Sequence, residues 1–226
     1  MAGRLTAERW DAEYRGGRYV DEPPLPFVDT ILAALARQPA LHDGVGLYVG
    51  CGNGRNYLPL VDAGLTLWGL DVSAEALRQL AARRPDQAGR LRHADFLAWE
   101  PERPLAYVIA IQVFQHGRQR DAEAYFARSH ALLEAGGLLF LRVNSAATEV
   151  YHAHDVVERN ADGGFTVEYR EGPKRGLPVH FYTRAELAAL TRGAFRCVAE
   201  PREEIIRRAP PKHGAWAQWE AVYQRS

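Results

Sequence analysis

Three glycines at alternating positions mark a place where a ligand can approach the backbone. They lie in the segment Gly50-Cys51-Gly52-Asn53-Gly54, directly after a short apolar run. Glycine has no Cβ, so a ligand can come close to the main chain there. The residues that follow read as a helix, and the free amides at its start favour a negatively charged group. The segment predicts a ligand-binding turn from a strand into a helix; a turn that only caps the helix is the alternative.

The spacing of these glycines separates two classes of nucleotide-binding protein. A dinucleotide fingerprint has the pattern G-x-G-x-x-G, and the position of its third glycine is occupied here by Arg55. The segment instead has the pattern G-x-G-x-G. A nicotinamide-dependent oxidoreductase is therefore a rival interpretation that the sequence disfavours.

Two acidic residues follow at the ends of the next two predicted strands. Asp71 lies 21 residues after Gly50, where a carboxylate can accept hydrogen bonds from ribose hydroxyls. A helix cap is the alternative for Asp71, but Ser73 can fill that role. Asp95 is followed by Phe96, so the acid could accept a hydrogen bond from an adenine amino group while the adenine ring packs on the phenylalanine. A loop acid beside a core phenylalanine is the alternative there.

The elements that position these residues alternate along the chain. Apolar runs predict strands, and helical spacing of apolar residues predicts the intervening helices. Strands are predicted over 45–50, 65–71, 90–94, 105–114 and 137–145, and helices over 5–16, 26–38, 55–63, 74–84 and 119–134. We expect Gly136 and Gly137 to end the last of these helices. Such alternation predicts a parallel sheet with helices on both faces, which binds ligands at the carboxyl ends of its strands.

The alternation stops after residue 145. Residues 146–180 are polar, contain four glycines and three histidines, and read as an irregular insertion. His152 and His154 with His180 or Asp155 could be metal ligands, but no spacing fixes such a site, so we expect no metal. Thr183 is expected to begin a further helix, and residues 195–224 to form an antiparallel edge hairpin.

The motifs together resemble those of the class I S-adenosylmethionine-dependent methyltransferases over about residues 44–145. The matching segments are VGCGNGRN, GLDVS (69–73), HADF (93–96), IQVFQH (111–116) and LEAGGLLFL (133–141). The first two look most like the tellurite-resistance and thiopurine-type enzymes, which act on small molecules. The resemblance implies an α/β, Rossmann-like, doubly wound sheet of seven strands in the order 3-2-1-4-5-7-6, the last antiparallel. We expect one domain over 1–226, with an N-terminal lid (1–25), a cofactor-binding core (44–145) and a substrate-side insertion (146–180).

The resemblance also implies roles for individual residues toward S-adenosylmethionine. Gly50 and Gly52 would lie against its methionine part, Asp71 would bind the ribose, and Gln112 would lie beneath the methionine end. Asp95 would face the adenine amine and Phe96 its ring. The remaining expected contacts are Tyr14 from the lid and, within the two main motifs, Cys51, Asn56 and Val72. One departure is Tyr48, since many family members carry an acid at that position.

Methyl transfer is an in-line displacement that needs alignment and exclusion of water. A general base is required only when the acceptor must lose a proton. His116, just after the fourth predicted strand, is the candidate base; a histidine that shapes the pocket is the alternative. Cys51 is expected to be a packing residue rather than a nucleophile.

The composition of the chain limits which partners we expect it to bind and in which compartment we expect it to act. The 226 residues include 28 Lys plus Arg and 28 Asp plus Glu, so the formal net charge is zero. A balanced chain disfavours nucleic acid or an anionic membrane as partner, which leaves a small-molecule acceptor. The apolar run 105–111 is too short for a membrane span, and two cysteines with no apolar leader predict a cytoplasmic protein. A non-catalytic protein that binds the cofactor or a partner is the alternative function, and the oligomeric state stays open.

Overall fold

Helices and strands alternate through residues 2–226, the part of the chain that this computed structural model describes, with side chains from residue 5 onward. The α-helices are α1 (Ala2–Arg15), α2 (Phe27–Ala36), α3 (Pro39–His42), α4 (Tyr57–Asp62), α5 (Ala74–Arg83), α6 (Gln119–Leu132) and α7 (Arg184–Thr191). The first five strands are β1 (Val45–Val49), β2 (Thr66–Asp71), β3 (Leu91–His93), β4 (Leu105–Ile111) and β5 (Leu133–Asn144). The remaining strands are β6 (His154–Arg159), β7 (Phe165–Tyr169), β8 (Pro178–Phe181), β9 (Phe195–Arg207) and β10 (Ala215–Arg225).

Seven strands form one sheet in the order β3-β2-β1-β4-β5-β10-β9. Strand β2 pairs in parallel with both β1 and β3, whereas β10 pairs antiparallel with β5 and β9. The two C-terminal strands thus occupy the places expected for the sixth and seventh strands. The predicted α/β, Rossmann-like fold class and strand order are confirmed.

A second sheet, which the sequence interpretation missed, lies within the segment expected to be irregular. Strands β6, β7 and β8 pair antiparallel in that order. Their small core comprises Val167, Val179 and Phe181, and Phe165 stacks on Phe181 with ring centroids 4.9 Å apart. The other strand positions are largely polar and glycine-rich turns separate the strands, so periodicity gave little indication of them.

The chain divides into two compact units. The first ends at Ile109 and also includes Leu132–Gly137; the second comprises Ala110–Ala131 and Leu138–Ser226. Gly136 and Gly137 lie in β5 and not at the end of α6, which stops at Leu132. A Cβ on Gly137 would lie 3.0 Å from the carbonyl oxygen of Ala106, so close backbone approach explains this glycine.

In the first unit, α1 is fixed to the start of α5 by one carboxylate. Ser73 caps α5, since its hydroxyl accepts a hydrogen bond from the Ala76 amide at 3.1 Å. The Oδ1 of Asp11 in turn accepts hydrogen bonds from the Ser73 hydroxyl at 2.6 Å and from the Glu75 amide at 3.1 Å. Two orphan donors at the helix start are thereby satisfied.

In the second unit, a buried guanidinium joins three neighbouring strands. Arg142 in β5 pairs with Glu204 of β9 at 2.7 Å and with Glu220 of β10 at 3.0 Å. Glu220 also pairs with Arg202 at 2.7 Å. A buried charge is tolerated only when it is paired, so this network attaches the C-terminal hairpin to β5. Within the described residues, no helix is long and apolar enough to cross a membrane.

Candidate functional site

The glycine segment forms a tight loop that β2 holds in place. Gly50, Gly52 and Gly54 all have positive φ, with values of 68°, 56° and 99°. The Gly50 and Cys51 amides donate to the Leu70 carbonyl oxygen, at 2.7 and 3.1 Å. A Cβ on Gly52 would lie 2.4 Å from the hydroxyl oxygen of Tyr14. The loop therefore requires glycine at position 52 for both its backbone angle and its close contact.

Asp71, at the end of β2, ties this loop to the start of α5. Its Oδ2 accepts a hydrogen bond from the Gly52 amide at 2.7 Å, and its Oδ1 accepts one from the Ser73 amide at 2.8 Å. Burial raises the pKa of this carboxyl to about 6, against the opposing effect of these amides. A carboxylate has about four acceptor positions, so it can accept further donors while holding the loop.

Tyr14 is buried beside Gly52 and Asp71. Its pKa is raised well above the usual value, first by burial and then by the negative charge of Asp71. The rings of Trp10 and Tyr19 lie 6.1 and 6.2 Å from it, centroid to centroid. The structure thus brings together three residues that the sequence interpretation placed at the cofactor.

The segment after α1 is hydrogen-bonded to the glycine loop and the start of α4. Three side chains make these contacts, and each bonds to a residue more than 30 positions earlier in the sequence. They are Asn53 Nδ2 to the Arg18 carbonyl (3.0 Å), Arg55 Nε to the Pro23 carbonyl (2.7 Å) and the Leu25 amide to Asn56 Oδ1 (2.8 Å). Arg55 also pairs with Glu22 at 3.0 Å. No local sequence signal reveals these pairings.

One buried acceptor in the loop has no donor. Asn53 Oδ1 accepts no hydrogen bond from the described part of the chain, although its amide nitrogen is bound to Arg18. A buried polar atom without a partner costs free energy, on the order of 1–3 kcal/mol. A ligand that brings a donor to this loop would satisfy it.

Cys51 and Tyr48 are both buried at the base of the loop. Burial raises the pKa of the Cys51 thiol well above its usual value, and the charge of Asp71 raises it further. The thiol is therefore protonated, as a packing residue requires. Burial raises the pKa of Tyr48, which stands where many family members have an acid, and the neighbouring Asn56 side chain opposes this shift.

Asp95 and Phe96 follow β3 at the neighbouring strand end. His93 of β3 is in register with Asp71, and the Ala94 amide donates to the Asp71 carbonyl at 3.2 Å. Asp95 is exposed, and its Oδ1 accepts a hydrogen bond from the Leu97 amide at 2.9 Å. The ring of Phe96 is buried.

Val72 lies between Asp71 and the cap residue Ser73. Its carbonyl oxygen lies 3.0 Å from Nε2 of His93, at hydrogen-bond distance, and its backbone amide lowers the pKa of the Asp71 carboxyl. With the glycine loop and Asp95, it completes a row of functional groups along three consecutive strand ends of the first unit.

Gln112 lies in the second unit, directly after β4, and has an unusual backbone. Its φ is 60°, and its amide donates to the Arg142 carbonyl oxygen at 2.7 Å. A residue with a side chain disfavours this conformation, which costs roughly 1–3 kcal/mol and is concentrated at functional sites. The strain is an independent sign that this strand end has a function.

His116, also in the second unit, is a weak base. Burial and, to a smaller extent, the positive charge of Lys174 lower the pKa of its imidazole to about 3. The Tyr125 hydroxyl donates to the His116 carbonyl oxygen at 2.9 Å and fixes the backbone there. An imidazole this weakly basic is neutral near pH 7 and poorly matched to proton abstraction.

The histidines that were considered as metal ligands have other contacts. His180 is buried, with Thr166 Oγ1 at 2.8 Å from its Nδ1 and Glu186 Oε1 at 2.8 Å from its Nε2. His152 lies 3.8 Å from Glu171. Over residues 2–226, no group of three or more His, Cys, Asp or Glu side chains has an arrangement suited to a metal ion.

Comparison with known proteins finds similarity to methyltransferases over part of the chain. Residues 47–137 match the family model described as a methyltransferase domain. The chain is 26% identical over 152 residues to cyclopropane mycolic acid synthase 1 of Mycobacterium tuberculosis. That match covers 65% of this chain and 50% of the relative, so the chain spans about half the length of the curated relatives it matches.

Solved methyltransferase structures share the fold over the whole chain. Magnesium protoporphyrin IX methyltransferase from Synechocystis, with bound S-adenosylhomocysteine, superposes with a TM-score of 0.68 at 14% identity and covers 100% of both chains. The 1,6-didemethyltoxoflavin-N1-methyltransferase of Burkholderia thailandensis, also with S-adenosylhomocysteine, has a TM-score of 0.66 at 20% identity. The match covers 99% of this chain and 89% of the Burkholderia one. At these identities the likeness shows a shared fold.

Proposed function

We propose that this chain, in which residues 47–137 form a methyltransferase domain on the class I methyltransferase fold, transfers the methyl group of S-adenosylmethionine to a small molecule. The observation that carries the proposal is the row of groups on three neighbouring strand ends. Gly52, Asp71 and Asp95 follow β1, β2 and β3 in turn. In open α/β sheets, ligands bind at such strand ends.

The residues present fit this cofactor. The glycine loop leaves its backbone open to close approach, and the unpartnered Asn53 Oδ1 can receive a donor. Asp71 retains acceptor capacity for a ribose hydroxyl, and the exposed Asp95 for the adenine amine. Cys51, Asn56, Val72, Phe96 and Tyr14 would shape the same site, while Gln112 would contact the methionine end.

Methyl transfer from this cofactor is an in-line displacement at carbon, in which the positive charge on sulfur is lost. The cofactor supplies the activated methyl group, so the protein has to align the acceptor and exclude water. The aromatic residues Trp10, Tyr14 and Tyr19 would cover the site from the N-terminal segment. His116 would shape the acceptor side without taking a proton.

The test of the proposed function is cofactor binding and turnover. Titration calorimetry should detect binding of S-adenosylmethionine and no binding of NAD. Incubation with thiol and phenol acceptors, followed by chromatography, should show S-adenosylhomocysteine. Binding without turnover over a broad acceptor panel would favour the rival function, a non-catalytic cofactor-binding protein. Binding of NAD in preference would contradict the proposal.

The His116→Asn variant should retain most of the activity. An obligatory base typically contributes 10²- to 10⁴-fold to the rate, and we expect a loss of less than about tenfold. Activity should be measured on a thiol and on a phenol from pH 5 to 9, with cofactor affinity as the control. A loss of a hundredfold or more on both acceptors, with intact cofactor binding, would show that His116 is a base.

We also propose that the acceptor is neither nucleic acid nor membrane lipid and that the protein acts in the cytoplasm. The equal numbers of acidic and basic residues support the first part. Both cysteines are free thiols, which suits a reducing compartment.

A further inference from the structure

We propose that the acceptor is an anion, bound by a cationic and aromatic cluster formed by the hairpin that joins β9 to β10 and by the segment that precedes β6. This inference rests on the proposed function and names its substrate class. The cluster comprises Tyr151, His152, Arg208, Lys212 and His213, which all belong to the second unit. We refer to it as the Tyr151 cluster.

The cluster is built around one exposed ring. Arg208 Cζ lies 5.8 Å and Lys212 Nζ 6.0 Å from the centroid of Tyr151. The imidazole rings of His152 and His213 lie at 5.2 and 5.5 Å, both edge-on. Two permanent cations and two titratable rings thus surround a tyrosine that is 39% exposed.

The cations of this cluster lack acidic partners, unlike several other arginines of the unit. Arg118, Arg142 and Arg202 each pair with a carboxylate. Within the described residues, no carboxylate lies within 4 Å of the Arg208 or Lys212 nitrogens. Like charges repel each other, so an anion at this position would relieve the repulsion.

Two carboxylates lie beside the cluster and offset part of its positive charge. Oε1 of Glu149 accepts a hydrogen bond from the Ala215 amide at 2.8 Å, while the Glu149 amide donates to the Ala215 carbonyl at 3.0 Å. Glu171 faces His152 at 3.8 Å. The Glu149 contacts fix the segment that bears Tyr151 to the hairpin, so the cluster is a defined surface.

The cluster lies beside the carboxyl end of β5. Gln218 of β10 is in antiparallel register with Asn144, the last residue of β5, so the start of β10 lies beside that strand end. The hairpin 208–214 directly precedes β10 and is therefore close to the same strand end. In open α/β sheets, ligands bind at the carboxyl ends of strands.

A short turn connects the cluster with His116. A Cβ on Gly172 would lie 3.2 Å from the His152 ring, and the Arg175 amide donates to the Gly172 carbonyl at 3.1 Å. Lys174, in the same turn, acts electrostatically on His116. The turn that contacts His152 thus carries a further cation, which acts on His116. We infer that a carboxylate or phosphate of the acceptor binds Arg208 and Lys212 while its flat body lies on Tyr151.

The experiment follows backbone amide signals of the whole chain by two-dimensional NMR during titration with benzoate, phenyl phosphate and neutral benzamide. Benzoate and phenyl phosphate should shift the amides of 149–153 and 208–214, and benzamide should not. The double variant Arg208→Gln/Lys212→Gln should weaken anion binding about tenfold. Lys212→Gln alone, on an exposed side chain, should weaken it about threefold and serves if the double variant does not fold.

The matched control is Arg37→Gln/Arg192→Gln, which removes the same charge from exposed positions outside the cluster. It should bind both anions as the wild type does. The proposal would be overturned if both double variants lost anion affinity equally, because the attraction would then not depend on the cluster. It would also be overturned if benzamide bound as well as benzoate does, because the negative charge would then not matter. Binding of polyglutamate without binding of either small anion would also overturn it, in favour of an acidic protein partner.

Calorimetry with S-adenosylmethionine on the wild type separates the two proposals. Cofactor binding without anion-induced shifts in the cluster would contradict only the anionic acceptor. Absence of cofactor binding would contradict the proposed function itself, whatever benzoate does.

Discussion

Replacing Asp71 with asparagine should weaken the binding of S-adenosylmethionine by about 10- to 100-fold, the range for hydrogen bonds to a charged group. The change removes the carboxylate that we assign to the ribose and also places a donor opposite the Gly52 and Ser73 amides. Titration calorimetry at pH 7.5 measures the effect. Asp43→Asn, an exposed acid in the same unit, is the matched control and should bind as the wild type does.

The pH dependence provides a second readout for the same residue. Burial raises the Asp71 pKa to about 6, so cofactor affinity of the wild type should fall as the pH drops through 6 and the carboxylate becomes protonated. Stability should change in the opposite direction, because ionisation of a buried acid is costly in the folded state. The protonated Asp71 carboxyl contributes about 3 kcal/mol to the free energy of unfolding below pH 4. This contribution is lost as the pH rises to about 6.

Both pH dependences should be absent from Asp71→Asn. Urea unfolding at pH 4, 5, 6 and 7 checks the stability, and calorimetry over pH 5–8 the affinity. Unchanged cofactor affinity in the variant would remove Asp71 from the site. If the cofactor affinity of the wild type stays constant across pH 6, the ionised Asp71 carboxylate is not the form required for binding.

Deletion of residues 1–20 should leave the sheet folded but weaken cofactor binding or turnover at least about tenfold. The strands begin at Val45, whereas the deleted part carries Tyr14, which is buried beside Gly52, and Asp11, which bonds to Ser73 and Glu75. Loss of residues 1–20 would expose the glycine loop to water. Circular dichroism checks folding, and calorimetry and turnover check function.

A point variant and hydrogen exchange refine this test of the lid. Tyr14→Ala should reproduce part of the loss, and Leu5→Ala, on an exposed position of the same helix, should not. If the lid closes on the cofactor, amides in 8–20, 50–56 and part of 146–180 should gain protection on binding. Full activity of the truncated protein, or protection confined to 50–56, would show that the N-terminal helix only packs on the body.

The sequence was sufficient for features whose causes are local. The alternation of apolar runs predicted a parallel sheet with helices on both faces, and the family resemblance supplied its strand order. Ser73 was identified as the cap of α5 from its residue type and position. The contacts of Asp11 with Ser73 and of Asn56 with Leu25 join residues far apart in sequence, so no periodicity could predict them. The sheet β6–β8 was missed because its strands are short, polar and separated by glycines.

Residue types alone also gave an incomplete account of electrostatics. His116 was a candidate base because imidazole titrates near neutrality, but its burial and Lys174 make it far less basic. Arg208 and Lys212 belong to no sequence motif, and only the fold places them around Tyr151. Burial and distance, which decide both cases, follow from the tertiary structure.

Gln112 has a left-handed backbone conformation, for which stability and the proposed function favour different residues. Glycine would adopt φ 60° without strain, so stability alone favours glycine there. The contact with the methionine end of the cofactor that we propose for the Gln112 side chain is one that glycine cannot supply. Under that proposal, the end of β4 is a position where a more stable protein and a more active one call for different amino acids.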